Sequence, residues 1–119
     1  MTATPFGGVE VVNLCPHALK VEVGGVDTTF PPSGTVARVT MSPTTIGHLG
    51  GAPIVVNVAG PVTGLPESVD GVVYLVSGMV REALGSARPD VLAPDTGPTA
   101  RRNAEKQVEA VRGFVGARS

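Results

Sequence analysis

The chain has 119 residues, 42% of them hydrophobic, and a net charge of −1, which predicts one domain with its own core and no general attraction to nucleic acid or anionic membranes. Apolar runs stay short of the roughly 18 residues needed for a membrane-spanning helix, the N-terminus has no signal-peptide pattern, and a single cysteine excludes an internal disulfide. We therefore expect a cytoplasmic protein in which residues 1–119 form one β-rich domain.

The first half of the chain predicts strands from alternating apolar and polar residues. Residues 9–14 and 19–23 are two such strands, and a Gly-Gly pair turns the second into a partner strand, which forms a hairpin. Residues 35–41 alternate again, which predicts another strand. Residues 42–52 have no period and are rich in turn formers, which predicts a loop.

The middle of the chain holds two compact runs of valine-rich sequence. Residues 53–60 and 71–78 are typical of strands buried on both faces, and residues 61–70, between them, predict an ordered crossing loop. Ser77 is placed to cap a short helix, and Gly85 is placed to end it.

The final third predicts further strands. Residues 88–94 form a brief run bounded by prolines, which is typical of an edge strand. Residues 100–115 fit both a helical stripe and the two-residue period of a strand, and the β-branched residues of 107–114 favour the strand. The basic segment 115–119 is expected to be mobile.

These elements predict a small, mainly β, α+β domain with about seven short strands and one or two short helices. The strands are expected to form a partly barrel-like or sandwich-like arrangement. The many valines and few aromatic residues agree with this class, because β-branched side chains suit a pleated surface.

Six segments of the chain carry a resemblance to known proteins. In order they are NLCPHALKV, FPPSGTVARV, VTGLPE, YLVSGMV, RPDVLAPDTGP and VRGF. Together they resemble short uncharacterised proteins of actinobacteria and their tailed phages, which open with an Asn-Leu-Thr-Pro-His motif. This chain has Cys15 in place of the threonine, and its NAEKQ segment departs from a more usual glycine-containing turn. The resemblance implies a phage or mobile-element accessory protein and brings no established activity.

The triplet Asp95-Thr96-Gly97 matches the signature of aspartic proteases, in which two carboxylates share a proton. Only 24 residues follow Asp95, too few for the rest of that catalytic fold. Pro98 also stands where the protease family places a small residue whose amide supports the turn. The triplet therefore predicts a turn in which the Asp95 carboxylate accepts hydrogen bonds from its own loop.

Other chemical motifs are weak. Cys15, His17 and His48 lack the paired spacing of zinc sites, and Cys15 with His17 lacks a third residue to orient a nucleophile. Ser77 lacks the glycines of a hydrolase elbow, and no phosphate-binding loop is present. We expect no metal and no cofactor. The mildly basic tail 99–119 favours a solvated terminus over a nucleic-acid interface.

Eight polar residues lie at predicted strand ends or in loops, where sites form on a rigid scaffold. They are Asn13, His17, Arg38, Glu67, Ser77, Arg88, Asp90 and Asp95. Structurally, they can tie loops together through ion pairs and caps. Functionally, they can bind a partner or line a pocket for a small polar or anionic ligand.

Our leading hypothesis is a non-enzymatic accessory protein that acts through protein–protein contact or self-assembly, because the sequence has no catalytic constellation and its short strands leave edges that need cover. The alternative is a small-molecule protein or enzyme that binds a nucleotide or anion. Its binding site would be formed by four of these residues: Arg38, Arg88, Asp90 and Asp95.

Overall fold

Strands dominate the computed structural model, which describes residues 2–117. In chain order the elements are β1 (Thr4–Phe6), β2 (Val9–Asn13), β3 (Leu19–Val23), β4 (Val26–Phe30), β5 (Arg38–Leu49), β6 (Ala52–Thr63), β7 (Val72–Leu75), α1 (Gly78–Leu84), β8 (Val91–Pro94), β9 (Arg101–Arg102), β10 (Val108–Ala110) and β11 (Phe114–Val115). This confirms the mainly β, α+β class. The segment 115–119, expected to be mobile, begins within β11, and its last two residues lie outside the described range.

A five-stranded sheet forms the centre of the protein, in the order β1-β2-β7-β8-β11. The three middle strands run parallel, and β1 and β11 pair with them antiparallel. The prediction of β8 as an edge strand is wrong, because β11 pairs with its outer side. Its prolines do not prevent this: Pro89 precedes the strand and Pro94 is its last residue, so neither removes a hydrogen bond from its middle.

Each face of this sheet covers its own hydrophobic core. On one face Val12 and Tyr74 pack with Val80 of α1, and on the other Val11 and Leu75 pack with the β3–β4 hairpin and the C-terminal strands. Neighbouring residues of β2 and β7 reach opposite cores because side chains alternate along a strand. The valine-rich run at 71–78 is thus confirmed as a buried strand, although it ends at Leu75.

Several local predictions are also confirmed. β3 and β4 form the expected hairpin. Ser77 caps α1, its hydroxyl accepting a hydrogen bond from the amide of Val80 at 3.3 Å, and Gly85 ends the helix. The C-terminal region forms strands β9, β10 and β11, so the strand interpretation of 107–114 is confirmed over its first residues and at its end.

β5 and β6, with the Gly50-Gly51 turn between them, form a long two-stranded hairpin that we call the arm. The prediction of a loop at 42–52 is wrong, because β5 continues to Leu49. Turn-forming residues there are accommodated in a ladder whose register shifts at two places. The prediction that 53–60 is buried on both faces is also wrong: these residues of β6 are exposed along almost their whole length.

The crossing loop predicted at 61–70 begins later than expected, since β6 extends to Thr63. The loop starts at Gly64, whose φ is +77°. A Cβ atom at this position would lie 2.3 Å from the carbonyl oxygen of Val36, so the chain can cross here only with glycine. The additional strands of the arm and of the C-terminal region bring the number among the described residues to eleven.

Candidate functional site

Asn13, the first of the predicted site residues, is buried and has a structural role. Its side-chain amide donates hydrogen bonds to the carbonyl oxygens of His17 and Phe30, both at 2.9 Å, and its oxygen accepts one from the amide of Cys15 at 2.8 Å. The side chain therefore joins the end of β2 to the end of β4. The adjacent Cys15 is also buried, and burial raises the pKa of its thiol, as in a structural cysteine.

Arg88 and Asp90 pair with each other across Pro89. The Nε and Nη2 atoms of Arg88 each donate to one carboxylate oxygen of Asp90 at 2.9 Å, and Nη2 also donates to the carbonyl oxygen of Pro66 at 2.9 Å. The guanidinium holds the pKa of Asp90 below its ordinary value, through the hydrogen bond first and charge second. This fork ties the loop before β8 to the loop after β6.

Tyr74 adds two further contacts to the connection between these loops. The Arg88 guanidinium lies 5.9 Å from the centre of the Tyr74 ring, and the Tyr74 hydroxyl donates to the carbonyl oxygen of Glu67 at 3.2 Å. Glu67 thus takes part in this connection through its backbone carbonyl group, although the residue as a whole is exposed to solvent.

The remaining candidates are distributed over different clefts. Arg38 and Ser77 line a cleft of about 480 Å³, Asp95 lines another of about 290 Å³, and His17 lines a groove of about 190 Å³. Of the four residues in the small-molecule hypothesis, Arg88 and Asp90 neutralise each other, and Arg38 and Asp95 line separate clefts.

Asp95 forms the predicted turn. Its Oδ1 atom accepts a hydrogen bond from the amide of Gly97 at 3.0 Å, which confirms that the carboxylate caps its own loop. Arg102 holds the same loop from the other side, donating from Nη2 to the carbonyl oxygen of Thr96 at 2.7 Å. Asp95 is therefore a structural residue in a short loop between β8 and β9.

Sequence reasoning missed Arg81, which is only 3% exposed. Its guanidinium donates to four backbone carbonyl oxygens, those of Gly85, Ala87, Arg88 and Val91. Burial lowers the pKa of Arg81. One signal was available: Arg81 is the basic residue in the last turn of a short helix, where carbonyl groups lack partners within the helix.

Sequence reasoning also missed a charged network between the β3–β4 hairpin and the C-terminal region. Arg112 donates to Glu22 at 3.0 Å, and Arg101 donates both to Glu22 and to Asp27, the latter at 3.0 and 3.3 Å. Glu109 lies 3.4 Å from the Nε atom of Arg101. Residues 74 to 90 positions apart meet here, which no local pattern signals.

This network pairs part of the positive charge of the basic tail 99–119 with acidic side chains. Hydrogen bonds first from Arg112 and then from Arg101 lower the pKa of Glu22, and one from Arg101 lowers that of Asp27. Two of the tail's arginines are therefore engaged by acidic residues of this chain, which leaves less positive charge to attract phosphate.

The arm presents the most exposed apolar surface of the fold. Its hydrophobic residues with large exposed fractions are Met41, Ile46, Leu49, Ile54, Val55, Val56 and Val58. Leu49 at the tip is 77% exposed, and Ile46 is 63% exposed. Between residues 39 and 63 the sequence contains no Asp, Glu, Lys or Arg, so His48 is the one ionisable side chain in this stretch of the arm.

The register separates the side chains of the arm into two faces. The outer face consists of Ser42, Thr44, Gly47, Leu49, Ala52, Ile54, Val56 and Val58. The inner face consists of Met41, Pro43, Thr45, His48, Pro53, Val55, Asn57 and Ala59. Towards the body, the inner face continues into the core through the paired residues Val39 and Val62.

Helix α1 also approaches the inner face. Met41, Asn57 and Ala59 line a cleft of about 210 Å³ together with residues of α1, including Met79. The base of the inner face thus faces the body of the same chain. The outer face lies on the opposite side of the ribbon. Seven of its eight residues are exposed, as are all eight residues of the inner face, so the two faces differ in what their base approaches and not in their exposure.

Within residues 2–117, no cluster of three or more His, Cys, Asp or Glu side chains is arranged to hold a metal ion. No helix in that range is long and apolar enough to cross a membrane. The chain matches no protein family, and no curated protein or solved structure is significantly similar to it.

Proposed function

We propose that this protein is a non-enzymatic accessory protein that acts by binding a protein surface through its β5–β6 arm. The observation that carries the proposal is the exposed, uncharged apolar surface of the arm. Soluble monomers rarely expose contiguous apolar patches larger than a few hundred Å² unless the patch binds something. The phage or mobile-element context is part of the proposal and rests only on the resemblance carried by the six segments quoted above.

The physical cost of the free arm supports binding. A two-stranded ribbon is marginally stable alone, and most of the arm extends beyond the central sheet. Covering a half-exposed valine or isoleucine is worth roughly 1 kcal/mol. A partner that covers Ile54, Val56 and Val58 therefore stabilises both the complex and the arm.

The polar residues give less support to a small-molecule site. Arg88 and Asp90 satisfy each other, Asn13 is saturated by backbone groups, and Asp95 caps its own turn. A ligand that recruited these groups would first have to break contacts that hold the loops together.

A shortened arm tests the proposal. Ser42 and Val58 are opposite each other in the ladder, so residues 43–57 can be replaced by Asn-Gly, which favours a two-residue hairpin turn. We expect this variant to keep a cooperative thermal unfolding transition and to lose the protein contacts of the wild type. Contacts are measured by cross-linking with mass spectrometry in host lysate and by light scattering of the purified chain.

Asp70→Asn, an exposed loop substitution away from the arm, is the control and should keep every contact. An arm-shortened variant that retains all the wild-type contacts would overturn the proposal. A wild-type chain that contacts neither another protein nor its own copies would do the same.

A further inference from the structure

We infer that the arm binds a second copy of this chain, and that the two copies pack the outer faces of their arms against each other. The inference rests on the proposed function above and specifies the partner. Three properties of the outer face support it: its charge, its shape and its area.

The outer face has no charged side chain that would repel a second copy of the same face. A charged surface repels an identical surface, whereas an uncharged one does not, and the central parts of protein interfaces are depleted in charged residues. The outer face has no ionisable side chain, since His48 belongs to the inner face. It therefore offers no charge that would select a differently charged partner, and two copies meet without an unpaired buried charge.

The shape of the outer face is complementary to itself. In three of its four cross-strand pairs the larger side chain lies on β6, opposite a smaller one on β5: Ile54 with Gly47, Val56 with Thr44 and Val58 with Ser42. In the fourth pair, at the tip, the larger side chain is Leu49 on β5 and the smaller one is Ala52 on β6. A two-fold axis parallel to the strands places β6 of one copy over β5 of the other. Within each cross-strand pair, the larger side chain of one copy then lies over the smaller side chain of the other copy, as side chains of facing sheets interdigitate in a sandwich.

The area is sufficient for a reversible dimer. Two faces roughly 25 Å long and one ribbon wide bury on the order of 1,000 Å² in total, which is near the lower limit for a specific interface. We therefore expect dissociation in roughly the micromolar range.

A lipid surface fits the arm less well. Segments that bind the membrane interface carry aromatic anchors or basic residues. The arm from residue 39 to residue 63 has neither.

The experiment measures the oligomeric state of the full chain by sedimentation equilibrium and light scattering from roughly 1 to 200 µM. The wild type should be a concentration-dependent dimer. Val56→Lys, on the outer face, should raise the dissociation constant at least tenfold. Val55→Lys is the matched control, because Val55 is the adjacent residue, has a similar exposed fraction (47% against 41%) and lies on the inner face; it should leave the dimer intact.

A mixing experiment tests whether the partner is the chain itself. Val56→Glu alone should also be monomeric, and an equimolar mixture of Val56→Lys with Val56→Glu should recover dimers, since the lysine and the glutamate then lie at the same level of the interface, one strand apart, where these long side chains can pair. Thermal melting monitored by circular dichroism checks that each variant is folded.

The outcomes separate this inference from the proposed function. A wild type that is monomeric at every concentration overturns the inference, and so does equal disruption by Val55→Lys and Val56→Lys. If the monomeric wild type captures another protein and the shortened arm does not, the proposed function stands and only the inference fails. Sedimentation of the wild type with phosphatidylcholine–phosphatidylserine vesicles, lost in Val56→Glu, would assign the outer face to lipid instead and overturn the inference.

Discussion

Arg81 holds a loop in place from inside the fold. Its helix, α1, has only seven residues and is too short to be stable through helical hydrogen bonds alone. The guanidinium supplies donors to carbonyl groups at the end of α1 and in the segment that leads into β8. A planar group with several fixed donors can serve these carbonyls together, which an ammonium group cannot.

Arg81→Met is therefore expected to lower the free energy of unfolding by about 3 kcal/mol, because it leaves several buried carbonyl groups without donors. Arg81→Lys should recover only part of this loss. Urea denaturation measures both variants. The exposed Arg38→Met is the control, with an expected change of about 0.5 kcal/mol or less. Equal stability of Arg81→Met and the wild type would show that the carbonyl contacts contribute nothing.

The arm depends on its turn as much as on its strands. Gly50 and Gly51 have φ angles of +57° and +85°, as a two-residue turn between right-twisted strands requires. No atom lies within 4 Å of a Cβ placed at either residue. A side chain at these positions therefore acts through backbone strain and not through a clash.

Gly50→Val should destabilise the arm locally by about 1–2 kcal/mol, since a β-branched residue strongly disfavours positive φ. Gly50→Asn should be close to neutral, because Asn-Gly is a favoured sequence for this turn. Amide hydrogen exchange rates across β5 and β6 measure this local destabilisation, and the amides of β7 are the internal reference. Unchanged exchange in Gly50→Val would mean that the turn residues do not control the arm.

The molecule as a whole is more extended than a compact domain of its length. Its radius of gyration is 16.6 Å and its longest dimension is 54 Å, whereas a compact chain of this size has a radius of gyration of roughly 13–14 Å. Within the body, the network of Glu22, Asp27, Arg101 and Arg112 connects the β3–β4 hairpin to the C-terminal region. The hairpin and the C-terminal region are thereby held together on the same face of the central sheet.

This network predicts a dependence of stability on pH. The pKa of Glu22 is lower in the folded chain than its ordinary value of 4.5, so its contribution is fully present above about pH 4.5 and is lost as the pH falls through the folded value. Asp27 adds a contribution of the same sign. The melting temperature should therefore fall below about pH 4.5, and Glu22→Gln should make that fall shallower.

Thermal melts between roughly pH 3 and 7 measure this dependence. Asp70→Asn, which removes an exposed carboxylate outside the network, serves as the comparison and should keep the wild-type slope. If Glu22→Gln had the same slope as the wild type, the network would not contribute to the acid sensitivity of the fold.

Local patterns were enough to predict β2, the β3–β4 hairpin, α1 with its Ser77 cap, and the Asp95 turn. Alternation, capping and turn chemistry act over a few residues, so the sequence carries their signals directly. Among the eight predicted site residues, Asp95 and Ser77 have structural roles, a turn and a helix cap, that follow from such signals. The saturation of Asn13 and the pairing of Arg88 with Asp90 required the fold, because their contacts depend on which loops meet.

The arm shows why the remainder could not be predicted. The sequence established that residues 53–60 are apolar and rich in β-branched side chains, and it thereby determined that they form a strand. Whether that strand is buried depends on what packs over it, and this is a property of the assembled layers. In the folded chain the central sheet has its two cores filled by α1 and by the β3–β4 and C-terminal strands, and both faces of the arm stay exposed over most of its length.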